Sequence, residues 1–180
     1  MTDRLFLAVA VTDEVAHGLA AFLTEQAMRL PGRPAGPRTW HVTIRFLGDA
    51  TALQRDRVLE FLDEHLALEP FVVGFGRLGA FPKPSRASVL WLGIERGAGH
   101  LATMAAHCEV AAQMAGFEAE DRPFHPHLTL ARIRPPTNVA ALVDRVPRFP
   151  LRMNVDRLTL FRSNLGRGAA TYEAVDTVML

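Results

Sequence analysis

Lysine is nearly missing from this chain. Of its 20 basic residues, Lys83 is the one lysine and the other 19 are arginines. Base-composition bias in the coding sequence accounts for that count, although the planar arginine fork also suits phosphate. Excess charge of one sign is missing too. A net charge of +1 gives no strong basic field to hold a long nucleic acid, so an RNA ligand would be recognised at an end or as a short piece. Cysteine occurs once, as Cys108 in an alanine-rich helical stretch; no internal disulfide can form, which suits a reducing compartment.

Long apolar runs are also wanting. Met1-Thr2-Asp3-Arg4 leads into seven apolar residues, Leu5 to Val11, before Thr12-Asp13-Glu14. That is too short to span a membrane and carries no cleavage pattern, so a soluble, cytoplasmic protein is expected. There is no glycine-rich phosphate loop and no Gly-x-Ser-x-Gly nucleophile elbow.

What the chain does contain is one pattern twice. Trp40-His41-Val42-Thr43-Ile44-Arg45-Phe46-Leu47-Gly48 and Phe124-His125-Pro126-His127-Leu128-Thr129-Leu130-Ala131-Arg132 each hold a His-x-Thr flanked by apolar residues. Strand side chains alternate faces, so His41 shares a face with Thr43, and His127 with Thr129. Val42, Ile44, Leu128 and Leu130 then turn into a core. One such motif is no more than a polar pair on a half-buried strand. Two in equivalent positions call for a common purpose.

The remaining elements follow from period and punctuation. Leu5 to Val11 reads as a strand, and Thr12 caps a helix running to about Arg29. Residues Pro31 to Pro37 form a loop. After the first His-Thr strand, Gly48-Asp49 is a break, and a helix carries Leu53 to Leu66. Strands are expected at Phe71–Phe75 and Ser88–Ile94, around a Phe81–Ser85 loop, and a helix from near Ala98 to Ala115. Beyond the second His-Thr strand, Pro135 starts a short helix. Leu151–Phe161 and Thr171–Val178 are closing strands around a Ser163–Gly168 turn.

The order strand, helix, His strand, helix, strand thus occurs twice. Leu5 and Val89, which open the two units, are 84 positions apart, and His41 and His127 are 86 apart. These offsets predict an internal repeat over about 4–80 and 85–178, within one domain over 1–180. Each copy would supply one lobe, with some strands crossing between lobes and the active site in the groove between them.

Two histidines on opposite walls suit in-line displacement at a phosphodiester. One imidazole takes a proton from the attacking water and the other gives one to the leaving oxygen; with an ordinary pKa of about 6.5, histidine serves either role. Thr43 and Thr129 would donate to the non-bridging oxygens, and Arg45, by parity with Thr43, would add charge there. No metal or other cofactor is needed. A three-histidine metal site at His41, His125 and His127 would have Pro126 intervening and no carboxylate or cysteine beside it, and would leave the matched threonines unexplained. His125 is assigned to a cleft edge or a loop-fixing role, because His127 alone has a threonine two residues on. Cys108 is a core residue.

These residues resemble the 2H phosphoesterase superfamily, named for its paired His-x-Thr/Ser motifs. Within it they are most similar to the bacterial and archaeal RNA 2′,3′-cyclic phosphodiesterases, historically called 2′-5′ RNA ligases. The likeness runs from Arg4-Leu5-Phe6-Leu7-Ala8 through both motifs and Val89-Leu90-Trp91-Leu92-Gly93 to Leu160-Phe161-Arg162-Ser163. Arg122 to Arg132 is its most specific segment. The resemblance implies an α+β fold that is bilobal, two pseudo-symmetric lobes each with an antiparallel sheet and flanking helices. It implies metal- and ATP-independent opening of a terminal 2′,3′-cyclic phosphate to a 2′-phosphate, with 2′-5′ ligation as the reverse.

By the same resemblance His41 is the proton donor, His127 the proton acceptor and Arg132 a phosphate ligand beside Thr43 and Thr129. Strict alternation, however, puts Arg132 on the face opposite His127. Phe46 and Phe81 are candidates to stack on a base, with core or loop packing the plainer role. The expected partners are RNA ends or short oligonucleotides with a 2′,3′-cyclic phosphate, bound by a monomer without membrane or metal. The alternatives are a 2′-5′ phosphodiesterase, an esterase for a small cyclic nucleotide, and an RNA-end binding module without turnover.

Overall fold

The computed structural model describes residues 2–164 and 171–180. The apolar run after Arg4 forms strand β1 (Asp3–Ala10), and Thr12 caps helix α1 (Asp13–Glu25) by accepting from the Val15 amide at 3.4 Å. The helix stops four residues short of Arg29, where Ala27 turns to a positive φ of 48°. Within the expected 31–37 loop, Arg33–Pro34 makes a two-residue strand, β2. Strand β3 (His41–Ala50) runs through the expected break at Gly48, which takes a φ of +76°. Helix α2 (Ala52–His65) opens with a capping box between Thr51 and Gln54.

Strands β4 (Phe71–Phe81) and β5 (Ala87–Arg96) are longer than their apolar cores, and α3 (Ala98–Met114) follows. Strand β6 (His127–Thr137) continues through Pro135 and Pro136, where a helix start was expected; the short helix α4 begins only at Ala140 and ends at Arg145. The expected closing strand divides at Asp156 into β7 (Arg152–Val155) and β8 (Arg157–Asn164), before β9 (Thr171–Met179). Part of the predicted Ser163–Gly168 turn lies outside the described residues.

The nine strands among the described residues all pair antiparallel, so the α+β class that the resemblance implied is observed. The strand order is β7-β4-β5-β6-β3-β1-β8-β9, with β2 added beside β6. Where two separate sheets were expected, one path runs through, and its halves join at the single residue pair Val42–Leu128 between β3 and β6. The outer strands are exchanged. Strand β4, from the first half of the chain, lies between β5 and β7; β8, from the second half, lies between β1 and β9. One large core, containing Leu7, Val42, Leu62, Leu101, Leu128 and Leu158, spans both halves. Helices α2 and α3 pack on one another, and α3 packs on β3. No helix among the described residues is long and apolar enough to cross a membrane.

Candidate active site

The two predicted motifs meet at the sheet junction. Val42 and Leu128 are paired and fully buried, while His41, Thr43, His127 and Thr129 are half-buried on the other face. Antiparallel register around that pair sets His41 across from Thr129, and Thr43 across from His127. Each imidazole therefore has a hydroxyl on its own strand and another on the neighbouring strand. The sequence predicted the first relation and not the second.

Each ring is held in the same way. His41 Nδ1 lies 2.8 Å from the Thr39 carbonyl, and His127 Nδ1 lies 2.7 Å from the His125 carbonyl. A carbonyl oxygen only accepts, so both Nδ1 atoms carry hydrogen. That fixes the tautomer and leaves Nε2 of each ring for proton exchange. Apolar walls surround the rings. Phe6 packs on His41 at 4.9 Å and Tyr172 meets it edge-on at 5.1 Å; Phe81 meets His127 edge-on at 5.0 Å.

Burial is the main cause holding both imidazoles below the ordinary histidine pKa. The carbonyl hydrogen bonds oppose it. Arg132 adds a lowering effect on both rings, His127 adds one on His41, and His125 adds one on His127. The two imidazoles and the Arg132 guanidinium thus act on one another electrostatically, as one group of charges would.

Arg132 reaches this group through a β-bulge. Trp91 pairs with Thr129 and Leu90 with Ala131, so Leu130 is an extra residue in β6. Leu130 and Ala131 are both buried, and Arg132 emerges on the face of His127 and Thr129. The parity objection raised by strict alternation is removed.

The equivalent bulge in β3 moves Arg45 the other way. Ala8 pairs with Thr43 and Leu7 with Arg45, which skips Ile44. Arg45 therefore leaves the threonine face, contrary to the expectation of added charge there. It bonds the Glu109 carboxylate on α3 at 2.6 Å and the Glu118 carbonyl at 2.6 Å. Phe46 takes its place on the site face, 39% exposed, stacked on Phe6 at 6.3 Å and under Arg4 at 4.7 Å.

The His125 ring sits against Trp91 at 5.1 Å and Phe81 at 5.4 Å, at the edge of the site as expected. Cys108 is fully buried, and burial pushes its thiol pKa up, as for an inert core residue. Among the described residues no three His, Cys, Asp or Glu gather as metal ligands would. Phe6, Trp91, Phe161 and Tyr172, which wall the rings, were not singled out as site residues from the sequence. Their places depend on cross-strand pairing, which leaves no mark in the order of residues.

A model of the 2′-5′ RNA ligase superfamily matches residues 19–167, a span that includes both motifs and Arg132. The chain belongs to that superfamily. Similar sequences bear the name RNA 2′,3′-cyclic phosphodiesterase. The one from Aeropyrum pernix is 37% identical over 117 residues, 63% of this chain and 64% of that protein. The Archaeoglobus fulgidus protein is 31% identical over 131 residues, 73% of either chain. That of Escherichia coli K12 is 28% identical over 174 residues, 94% of this chain and 92% of its own.

Solved structures extend the likeness to the whole fold. E. coli LigT complexed with 3′-AMP superposes with a TM-score of 0.81 at 26% identity, covering 100% of this chain and 99% of that one. The Thermus thermophilus protein TT0787 gives 0.79 at 28% identity, covering 98% and 97%.

Proposed function

We propose that this chain is an RNA 2′,3′-cyclic phosphodiesterase that opens a terminal cyclic phosphate to a 2′-phosphate. His127 takes a proton from water as its oxygen attacks phosphorus. His41 gives a proton to the departing 3′-oxygen, the P–O3′ bond breaks, and a 2′-phosphomonoester beside a 3′-hydroxyl remains. Thr43, Thr129 and Arg132 hold the non-bridging oxygens where charge accumulates. With a 5′-hydroxyl in place of water the same ring opening, each histidine keeping its role, forms a 2′-5′ bond. The histidines exchange roles when the 3′-hydroxyl attacks that bond, expels the 5′-hydroxyl and closes the ring.

One observation carries the reading: two half-buried imidazoles on neighbouring strands have the same nitrogen tied to backbone and the other nitrogen left for chemistry. The names borne by its relatives support the substrate. The order of the strands, with β4 and β8 in matching places, supports a single domain built from repeats over about 4–80 and 85–178. The reading extends to a monomer acting in the cytoplasm on RNA ends or short oligonucleotides.

The test is incubation with a 2′,3′-cyclic nucleotide in excess chelator, followed by identification of the monophosphate. The 2′-monophosphate is expected. The 3′-isomer, or no product while a 2′-5′ dinucleotide is cleaved, would overturn the proposal.

A further inference from the structure

A second place in the molecule is shaped for an anion and shares no lining residue with the histidine site. A groove of about 710 Å³ lies between the end of β1 and the β7–β8 connection. Arg96 on β5 and Arg152 on β7 both line it. Both are paired in register with the same residue of β4, Gly74. Directly paired residues project to one face, so the two arginines leave the sheet side by side with only a hydrogen between them. Strands two apart are separated by about 10 Å, within the joint span of two arginine side chains.

Gly74 keeps the gap open. A Cβ there would sit 3.0 Å from Arg96 Cβ and 3.6 Å from Arg152 Cγ. Neither arginine has an ion pair or side-chain hydrogen bond among the described residues. Two acids line the groove, Glu14 and Asp156. Asp156 is taken by Arg157 in a two-pronged pair at 2.8 and 3.0 Å. Arg157 lines the groove too, so with that pair set aside two guanidinium groups face one carboxylate, and the groove carries an excess of one positive charge that favours an anion. Val72 and Asn154, paired with one another two residues from Gly74 and Arg152, share the arginines' face and add an apolar side chain and an amide to the groove.

We propose that this groove is a second binding site, for a phosphomonoester whose phosphate is clamped between Arg96 and Arg152. Each planar fork bonds two phosphate oxygens in parallel. The volume falls within the range of small-ligand sites and exceeds what a bare phosphate fills, so a mononucleotide fits it.

The test follows the Asn154 side-chain amide resonances, labelled with nitrogen-15 and assigned with Asn154→Ser, in separate titrations with 5′-AMP and inorganic phosphate. A saturable shift is expected, weakened about tenfold or more in Arg96→Gln/Arg152→Gln. The Arg96→Lys/Arg152→Lys variant keeps the charge, loses the forks and should bind between the two. Tighter binding of 5′-AMP than of phosphate identifies a nucleotide ligand, and equal binding identifies free phosphate; both support the site. Thermal melting checks the fold of each variant. Turnover of a 2′,3′-cyclic nucleotide by Arg96→Gln/Arg152→Gln should equal that of the unaltered chain, whose own activity reports separately on the catalytic proposal. No saturable Asn154 shift with either probe, or an equal shift in the glutamine variant, would overturn the inference.

Discussion

Val42 and Leu128 are the only residues paired between β3 and β6 among those described, and neither is exposed to solvent. Everything assigned to the chemistry flanks that pair on the opposite face.

Removing either imidazole should therefore act on rate and not on folding. His41→Ala and His127→Ala are each expected to lose roughly 10²–10⁴-fold in turnover of a 2′,3′-cyclic nucleotide. Melting temperatures should stay close to that of the unaltered chain. The double variant should be little slower than the worse single one, because the two groups serve one step. Steady-state rates with thermal denaturation check all three statements.

The pH profile has a definite sign. Both histidines are held below the ordinary value of 6.5. Well above that value neither is protonated and the acid is missing; well below, both are protonated and the base is missing. The singly protonated pair is thus most populated on the acid side of pH 6.5, where kcat/KM should peak. Bound phosphate favours imidazolium, so the kcat profile should lie to the alkaline side of the kcat/KM profile. A kcat/KM optimum above pH 7 would contradict the placement of these rings in apolar walls.

The same depression affects stability. Between the folded and unfolded pKa values the unfolded chain binds more protons, so these histidines make stability rise with pH up to about 6.5. Above that the contribution is level. His41→Asn should flatten the rise in melting temperature between acidic and neutral pH.

The two bulges separate Arg132 from Arg45. Arg132→Ala should lower kcat/KM about 10–100-fold, the worth of hydrogen bonds to a charged phosphate, with a normal melting temperature. Arg132→Lys should recover part of it. Arg45→Ala should do the reverse. Its partners are Glu109 on α3 and the Glu118 carbonyl, so about 1–3 kcal/mol of stability should be lost while turnover holds. Parallel kinetics and denaturant unfolding distinguish the two arginines.

Gly79 tests the wall behind His127. It pairs with Trp91, and a Cβ there would collide with the Trp91 ring. Trp91 in turn packs against Phe81 and His125. Gly79→Val should cost about 1–3 kcal/mol and displace the His125 carbonyl that orients His127. Activity should fall further than the loss of folded protein accounts for, measured as turnover per folded molecule.

The site was legible where its information is local. Alternation alone set His41 with Thr43 and His127 with Thr129, and the matched spacing brought the two strands together. It misplaced Arg45 and Arg132 for one reason: an extra residue in a strand reverses parity beyond it, and neither Ile44 nor Leu130 differs in type from an ordinary strand residue. The strands and helices were legible from periodicity, and the class of fold from the resemblance that the two motifs carry. The joining of two expected sheets was not, because it depends on one backbone pairing between residues 86 apart. The continuation of β6 through Pro135 and Pro136 was missed because prolines read as the end of a strand.

The exchange of β4 and β8 bears on how the molecule can be taken apart. Chain cut in the turn after Phe81 would yield an amino-terminal fragment keeping β1 and β3 but missing the strand that covers β1 on its other side. The carboxy-terminal fragment would keep β5 and β6 and miss the one between β5 and β7. Each piece alone leaves a sheet edge bare, and each carries what the other wants, so the two made together should reassemble where neither folds by itself.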